Sequence, residues 1–146
     1  EREVPVRPFP LARAAERVVE LGLPRGGVLE GRPAPPEAPA QVDGALQIAV
    51  DAGRFPDVVT VRYPRRGDRM VPFGMEGRRR LKDLMREAGV PRLRRGRLPV
   101  LEAEGEILWL GGIRAAAACR IEETSGRLVV LTFRMDGSRG GGYRDG

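Results

Sequence analysis

Apolar positions recur along this chain with two different periods, and the point where the period changes divides it. In residues 11–21, Leu11, Ala14, Ala15, Val18 and Val19 fall at helical spacing before Gly22 and Pro24, which predicts a short amphipathic helix. Residues 31–39 then carry Pro33, Pro35, Pro36 and Pro39; prolines at that density exclude a helix interior or a central strand and predict an extended linker. Beyond it the period drops to two. Leu46, Ile48 and Val50 alternate with Gln47 and Ala49, and residues 58–63 form a compact β-branched run. A turn-rich stretch leads into a helix over 76–88, closed by Gly89 with Pro91 beyond. Val100 and Leu101, a turn at Glu104-Gly105 and the apolar run 107–110 predict a hairpin. Residues 114–121 and 127–133 predict a last strand pair joined around Thr124-Ser125-Gly126.

Strands, one well-formed helix and more strands define an α+β domain with a small, largely antiparallel sheet. The expected organisation is a helical appendage over 1–30 that ends a preceding domain, a Pro-rich linker over 31–41 and the main domain over 42–133. Residues 134–146, with five glycines and no packable run, are expected to be a disordered tail. The chain starts at Glu1, not Met, and is read as a piece of a longer protein.

Charge changes the picture in one place. Residues 62–97 hold 13 of the 26 Lys and Arg but only four of the 20 acids, Asp68, Glu76, Asp83 and Glu87. The chain's net +6 is therefore a local patch on a slightly acidic body, which suits a polyanion better than a small acidic metabolite. On a helix over 76–88, Leu81, Leu84, Met85 and Ala88 share an apolar stripe. Arg78, Arg79, Lys82 and Arg86 line one flank, and Glu76, Asp83 and Glu87 line the other with Arg80. Arg65, Arg66 and Arg69 precede this helix and Arg92, Arg94, Arg95 and Arg97 follow it. Glycines in residues 67–77 allow close backbone approach, and a helix N-terminus offers free N–H groups to a phosphate. Gly74-Met75-Glu76-Gly77 also satisfies the bare G-x-x-G pattern of KH-type RNA-binding domains.

Other chemistry is thinly represented. Without histidine, and with Cys119 as the one cysteine, the chain has no zinc site of the usual ligand types, no intrachain disulfide and no histidine base. No apolar run approaches the ~20 residues that span a bilayer. Aromatics are sparse, which argues against single-strand binding by base stacking. Trp109, inside an apolar strand, is expected in the core, Cys119 buried and inert, and Asp68 holding a turn or pairing with Arg69.

An ordered set of motifs carries a resemblance. Gly67-Asp68-Arg69, Pro72-Phe73-Gly74-Met75 with Gly77, and the basic run into Leu81-Lys82-Asp83-Leu84 are followed by Val90-Pro91, Arg94-Arg95 and Leu98-Pro99-Val100-Leu101. Then come Ile107-Leu108-Trp109-Leu110 and Gly112-Ile113-Arg114. Over residues 46–133 this resembles the C-terminal domain of bacterial tRNA(Ile)-lysidine synthetases, and residues 18–30 are similar to the end of that family's preceding substrate-binding domain. The resemblance implies an ATP-dependent cytoplasmic parent enzyme, with ATP and Mg, that attaches lysine to the anticodon cytidine of an isoleucine tRNA. The Ser-Gly-Gly-x-Asp-Ser phosphate loop of its catalytic domain is missing here, so this part would be non-catalytic and without cofactor. It would grip the tRNA acceptor stem, partner the N-terminal catalytic domain of the same protein, have no membrane role, and leave a homodimer as an option.

The candidate RNA contacts are Arg65, Arg66, Arg69, Arg78, Arg79, Arg80, Lys82, Arg92, Arg94, Arg95 and Arg97. A duplex stem presents phosphates and 2′-hydroxyls that such arginines can track. The alternatives are a structural or dimerising domain whose arginines are a solvated surface, a KH-like general RNA binder, and a self-contained enzyme. For the last the chain offers no nucleophile–base pair or phosphate loop.

Overall fold

A computed structural model describes residues 6–122 and 126–135; most of the glycine-rich end, from residue 136, lies outside the described residues. In chain order the elements are β1 (Arg7–Phe9), α1 (Leu11–Ala14), β2 (Val19–Gly22), β3 (Val28–Pro33), β4 (Gln47–Asp51), β5 (Val59–Arg62), β6 (Arg69–Met70) and β7 (Arg79–Arg80). They continue with α2 (Leu81–Glu87), β8 (Val100–Ala103), β9 (Glu106–Leu110), β10 (Arg114–Ala115) and β11 (Leu128–Arg134).

The strands form a five-stranded sheet in the order β1-β5-β8-β9-β10, a four-stranded sheet in the order β2-β3-β11-β4, and the two-stranded ribbon β6-β7. Every pairing among them is antiparallel. The two larger sheets share one core. Phe9, Val100, Trp109 and Leu110 come from the first, and Leu29, Ile48, Val129 and Leu131 from the second, with Leu11 of α1 in the same cluster. Trp109 is buried as expected, and its indole Nε1 donates to Ala45 O at 2.8 Å, so its polar edge costs nothing inside the core. At Gly31 in β3, a Cβ would lie 2.8 Å from Phe9 Cζ and 2.9 Å from Ala14 Cβ; glycine is what lets α1 close onto this strand.

The fold differs from several expectations. The helix over 11–21 stops at Ala14, and residues 19–22 become β2 because β3 offers them a ladder, which outweighs a weak helical pattern. The Pro-rich linker is strand as far as Pro33. Ala34 N donates to Leu128 O at 3.0 Å, so the Pro33 nitrogen faces away from β11, on the side where β2 has already ended. Residues 19–33 therefore join residues 47–51 and 128–134 in one sheet that crosses the expected boundary at 31.

The helix over 76–88 shrinks to the seven residues of α2, because Arg79 and Arg80 pair with Met70 and Arg69 in the ribbon. Its end is as expected: Gly89 at φ 77° donates to Arg86 O and Val90 N to Met85 O, both at 3.0 Å, a Schellman closure. Ala88 is exposed, not part of the buried stripe of Leu81, Leu84 and Met85. Lastly, 114–121 does not pair with 127–133. The first folds as β10 and a 3-10 turn at Ala117–Cys119, while β11 runs between β3 and β4. No described helix is long and apolar enough to cross a membrane.

Candidate nucleic-acid interface

Arg62 is the last residue of β5 and is buried. Its Nη1 and Nη2 donate to the two carboxylate oxygens of Asp68 at 2.9 and 3.1 Å, its Nε to Glu102 of β8 at 2.7 Å, and Nη1 also to Tyr63 O at 2.9 Å. Burial alone would lower the guanidinium pKa, but the hydrogen bonds and charges of Asp68 and Glu102 outweigh it and hold it above its usual value. Asp68 in turn accepts from Arg65 N at 2.6 Å, and its carbonyl accepts from Leu81 N at 3.0 Å. One buried arginine therefore fastens both the turn at 65–68 and the start of α2. Asp68 holds a turn, as expected, but its partner is Arg62 and not Arg69.

These two anchored segments, with the 3-10 stretch Arg92–Arg97, enclose an open cleft of about 250 Å³. Arg65, Arg66, Arg80, Lys82 and Arg95 line it, among Pro64, Gly67, Leu81, Met85 and Gly96. Its acid, Asp68, is turned inward onto Arg62. Arg95 is held by Nε donating to Val90 O at 2.9 Å, which leaves its remaining donors available. Among the described residues, Arg65, Arg66, Arg69, Lys82, Arg92, Arg94, Arg95 and Arg97 have no carboxylate partner, whereas Arg78, Arg79, Arg80 and Arg86 do. Arg69 and Arg80 also stand directly opposite each other across the ribbon, a like-charge pair that costs stability unless a counter-charge offsets it.

Asp83 supplies part of that counter-charge. It accepts from Arg80 at 3.1 Å and from Arg86 at 2.9 Å. Desolvation pushes its carboxyl up, but Arg80 and then Arg86 outweigh this and hold it below the usual carboxylate range.

Five of the eleven candidate residues thus converge on one cleft from segments far apart in sequence. The others do not line it. Arg78 pairs with Glu106 at 3.3 Å, and Arg79 is bound to Glu87 and donates to Met75 Sδ at 3.4 Å; neither lies on the helix. Arg69, Arg92, Arg94 and Arg97 are exposed beyond the cleft. At the helix N-terminus the Leu81 N–H is taken by Asp68 O. The G-x-x-G segment does not lead into a helix either: Gly77 is separated from α2 by Arg78 and strand β7. A larger cleft of about 410 Å³, lined by Ile48, Phe73, Ala115, Cys119 and Ile121 among others, is mostly apolar and holds none of the candidates. Cys119 is buried, and burial pushes its thiol up to about 12 against a smaller lowering by the Ala116 backbone.

Sequence reasoning missed Arg62 as the fastener of this site, counting it only as part of the patch. Asp68, the lone acid between Arg62 and Met75, was the available signal.

A small antiparallel α+β domain with this arrangement of sheets is seen in the crystal structure of a TILS C-terminal domain. The match has a TM-score of 0.69 at 28% identity and covers 90% of this chain and 98% of that one. The profile of the TilS substrate C-terminal domain matches residues 59–131, and the chain belongs to that family. A tRNA(Ile)-lysidine synthase of Symbiobacterium thermophilum is 31% identical over 141 residues, 91% of this chain and 29% of that protein. The corresponding synthase of Geobacillus kaustophilus is 35% identical over 97 residues, 66% of this chain and 21% of that protein. The chain thus spans less than a third of these curated relatives.

Proposed function

We propose that this chain is the tRNA-binding C-terminal module of a tRNA(Ile)-lysidine synthetase and holds the acceptor stem of tRNA(Ile) in the cleft between the 65–68 turn, α2 and the Arg92–Arg97 stretch. The observation that carries the reading is the convergence of Arg65, Arg66, Arg80, Lys82 and Arg95 on one cleft whose acid is turned inward. Guanidinium groups suit bidentate contacts with phosphodiesters, and fixed walls set the register of a duplex. Arg69, Arg92, Arg94 and Arg97 extend the same positive field outward. Arg78 and Arg79, bound to their own carboxylates, fit the structural role better. The ligase chemistry, with ATP and Mg, belongs in this reading to a catalytic domain elsewhere in a cytoplasmic parent protein.

A labelled tRNA(Ile) transcript titrated at several KCl concentrations tests the proposal. The four lining cations without a carboxylate partner, joined by Arg80 where it releases Asp83, make four to five phosphate contacts and give a log–log salt slope of about −3.5 to −4.5. Arg65→Glu with Lys82→Glu is expected to abolish binding near physiological salt while the circular dichroism spectrum stays unchanged. Binding that is flat with salt, or unaffected by that double reversal, would sink the reading. ATP turnover by this chain alone is expected to be zero.

A further inference from the structure

The sequence pattern assigns residues 18–30 to a preceding unit, yet the turn between β2 and β3 reaches the wall of the basic cleft. This turn is closed by Leu23 N donating to Gly27 O and Gly26 N to Leu23 O, each at 3.0 Å. It carries Arg25, which is exposed. The Arg25 backbone N–H donates to Tyr63 Oη at 2.8 Å, its guanidinium carbon stands 4.6 Å from the centroid of the Tyr63 ring, and Nη1 donates to Gly96 O at 2.8 Å. Tyr63 is buried and lies between Arg62 and Pro64, and Gly96 lines the cleft beside Arg95. Three contacts from two walls thus fix one arginine at the cleft's rim.

From this placement we infer that Arg25 is a further phosphate-binding residue of the cleft, extending its cationic track onto the β2–β3 turn. The inference rests on the RNA-binding reading given above. Among the described residues no carboxylate pairs with Arg25. A guanidinium has five N–H donors in one plane, and the Gly96 carbonyl takes one. The Tyr63 ring under the guanidinium carbon and the bond to Gly96 O hold the group in place before any ligand arrives, so little side-chain entropy is lost on binding. A phosphodiester of duplex RNA matches that geometry and charge; a lysine would supply the charge without the planar fork.

The test compares this chain with its Arg25→Gln and Arg25→Lys variants, binding a labelled tRNA(Ile) transcript across a KCl series, with Lys82→Glu as the reference for the cleft. Glutamine can still hydrogen-bond the Gly96 carbonyl but carries no charge. Arg25→Gln is expected to weaken binding about tenfold at low salt and to reduce the salt slope by about one, with an unchanged thermal midpoint. Arg25→Lys is expected to retain the slope and lose part of the affinity. If Lys82→Glu loses binding while Arg25→Gln keeps wild-type affinity and slope, the inference falls and the cleft reading stands. If Arg25→Gln lowers the midpoint and leaves the slope unchanged, Arg25 is only a latch on the cleft wall, and the inference falls again. If the unmutated chain fails to bind, both fall.

Discussion

Replacing Arg62 by Met isolates the group that holds the cleft together. The guanidinium makes four hydrogen bonds, three to carboxylate oxygens and one to a carbonyl. The side chain of Arg62 is 5% exposed, and those of Asp68 and Glu102 are 12% and 22% exposed. Methionine fills much of the same volume but leaves two partly buried carboxylates facing each other without a cation. Removing one partner of a buried ion pair costs about 3–5 kcal/mol. The lower end applies here, because Asp68 keeps its bond from Arg65 N and Glu102 can draw on water. With an m-value of about 2 kcal/mol/M in urea, about 3 kcal/mol lowers the denaturation midpoint by about 1.5 M. Adding Asp68→Asn and Glu102→Gln to the same variant removes the stranded charges and is expected to restore part of that loss. A midpoint shift below about 0.5 M for Arg62→Met alone would mean the triad behaves as a solvated surface pair, and the anchoring role assigned to it would be wrong.

Further outcomes can be measured independently. Leu84→Asp places an unpaired charge on the buried face of α2, where Leu84 is 4% exposed, and is expected to unfold the domain, read as loss of the cooperative thermal transition. Gly31→Ala forces a methyl group into the Phe9–Ala14–Leu131 contact and is expected to cost about 1–3 kcal/mol in urea titrations, whereas Gly22→Ala meets open space and is expected to change little. Cys119, with its thiol raised to about 12, is expected to resist iodoacetamide at pH 8 in the folded chain and to react at once in denaturant; equal rates in both would contradict its burial. The depressed Asp83 carboxyl contributes stability that is complete above the ordinary aspartate value of about 3.9 and fades as pH falls through its own lower pKa. Carboxyl NMR titration is expected to show Asp83 moving up in an Arg80→Ala, Arg86→Ala variant.

Local signals with one strong cause were legible in the sequence. The hairpin about Glu104-Gly105, the burial of Trp109 and the closure of α2 at Gly89 are each set by nearby residues, and each stands where the pattern places it. What was hidden depends on which segments pair. The turn at Pro24-Arg25-Gly26-Gly27 could have announced the β2–β3 hairpin but was read as a helix stop, and nothing near Arg79 and Arg80 announces their pairing with Met70 and Arg69, so helical periodicity was carried through both places. The cleft shows the same limit. Its cations were all visible as a charge cluster, but a cluster does not say which members face each other. Glu106, 28 residues from Arg78, and Glu87, eight residues from Arg79, decide that these two are spent internally. Arg62 was hidden for the opposite reason: a cation in a basic patch reads as surface, and only its two carboxylate partners make its burial tolerable.

The place of β11 between β3 and β4 has a consequence for how the chain matures on the ribosome. Val28–Pro33 and Gln47–Asp51 emerge early, yet the strand that unites them starts only at Leu128. At a synthesis rate of about 5–20 residues per second their edges wait on the order of ten seconds for that strand. During that interval the nascent domain exposes two unsatisfied ladders, which makes it prone to aggregate until β11 is inserted.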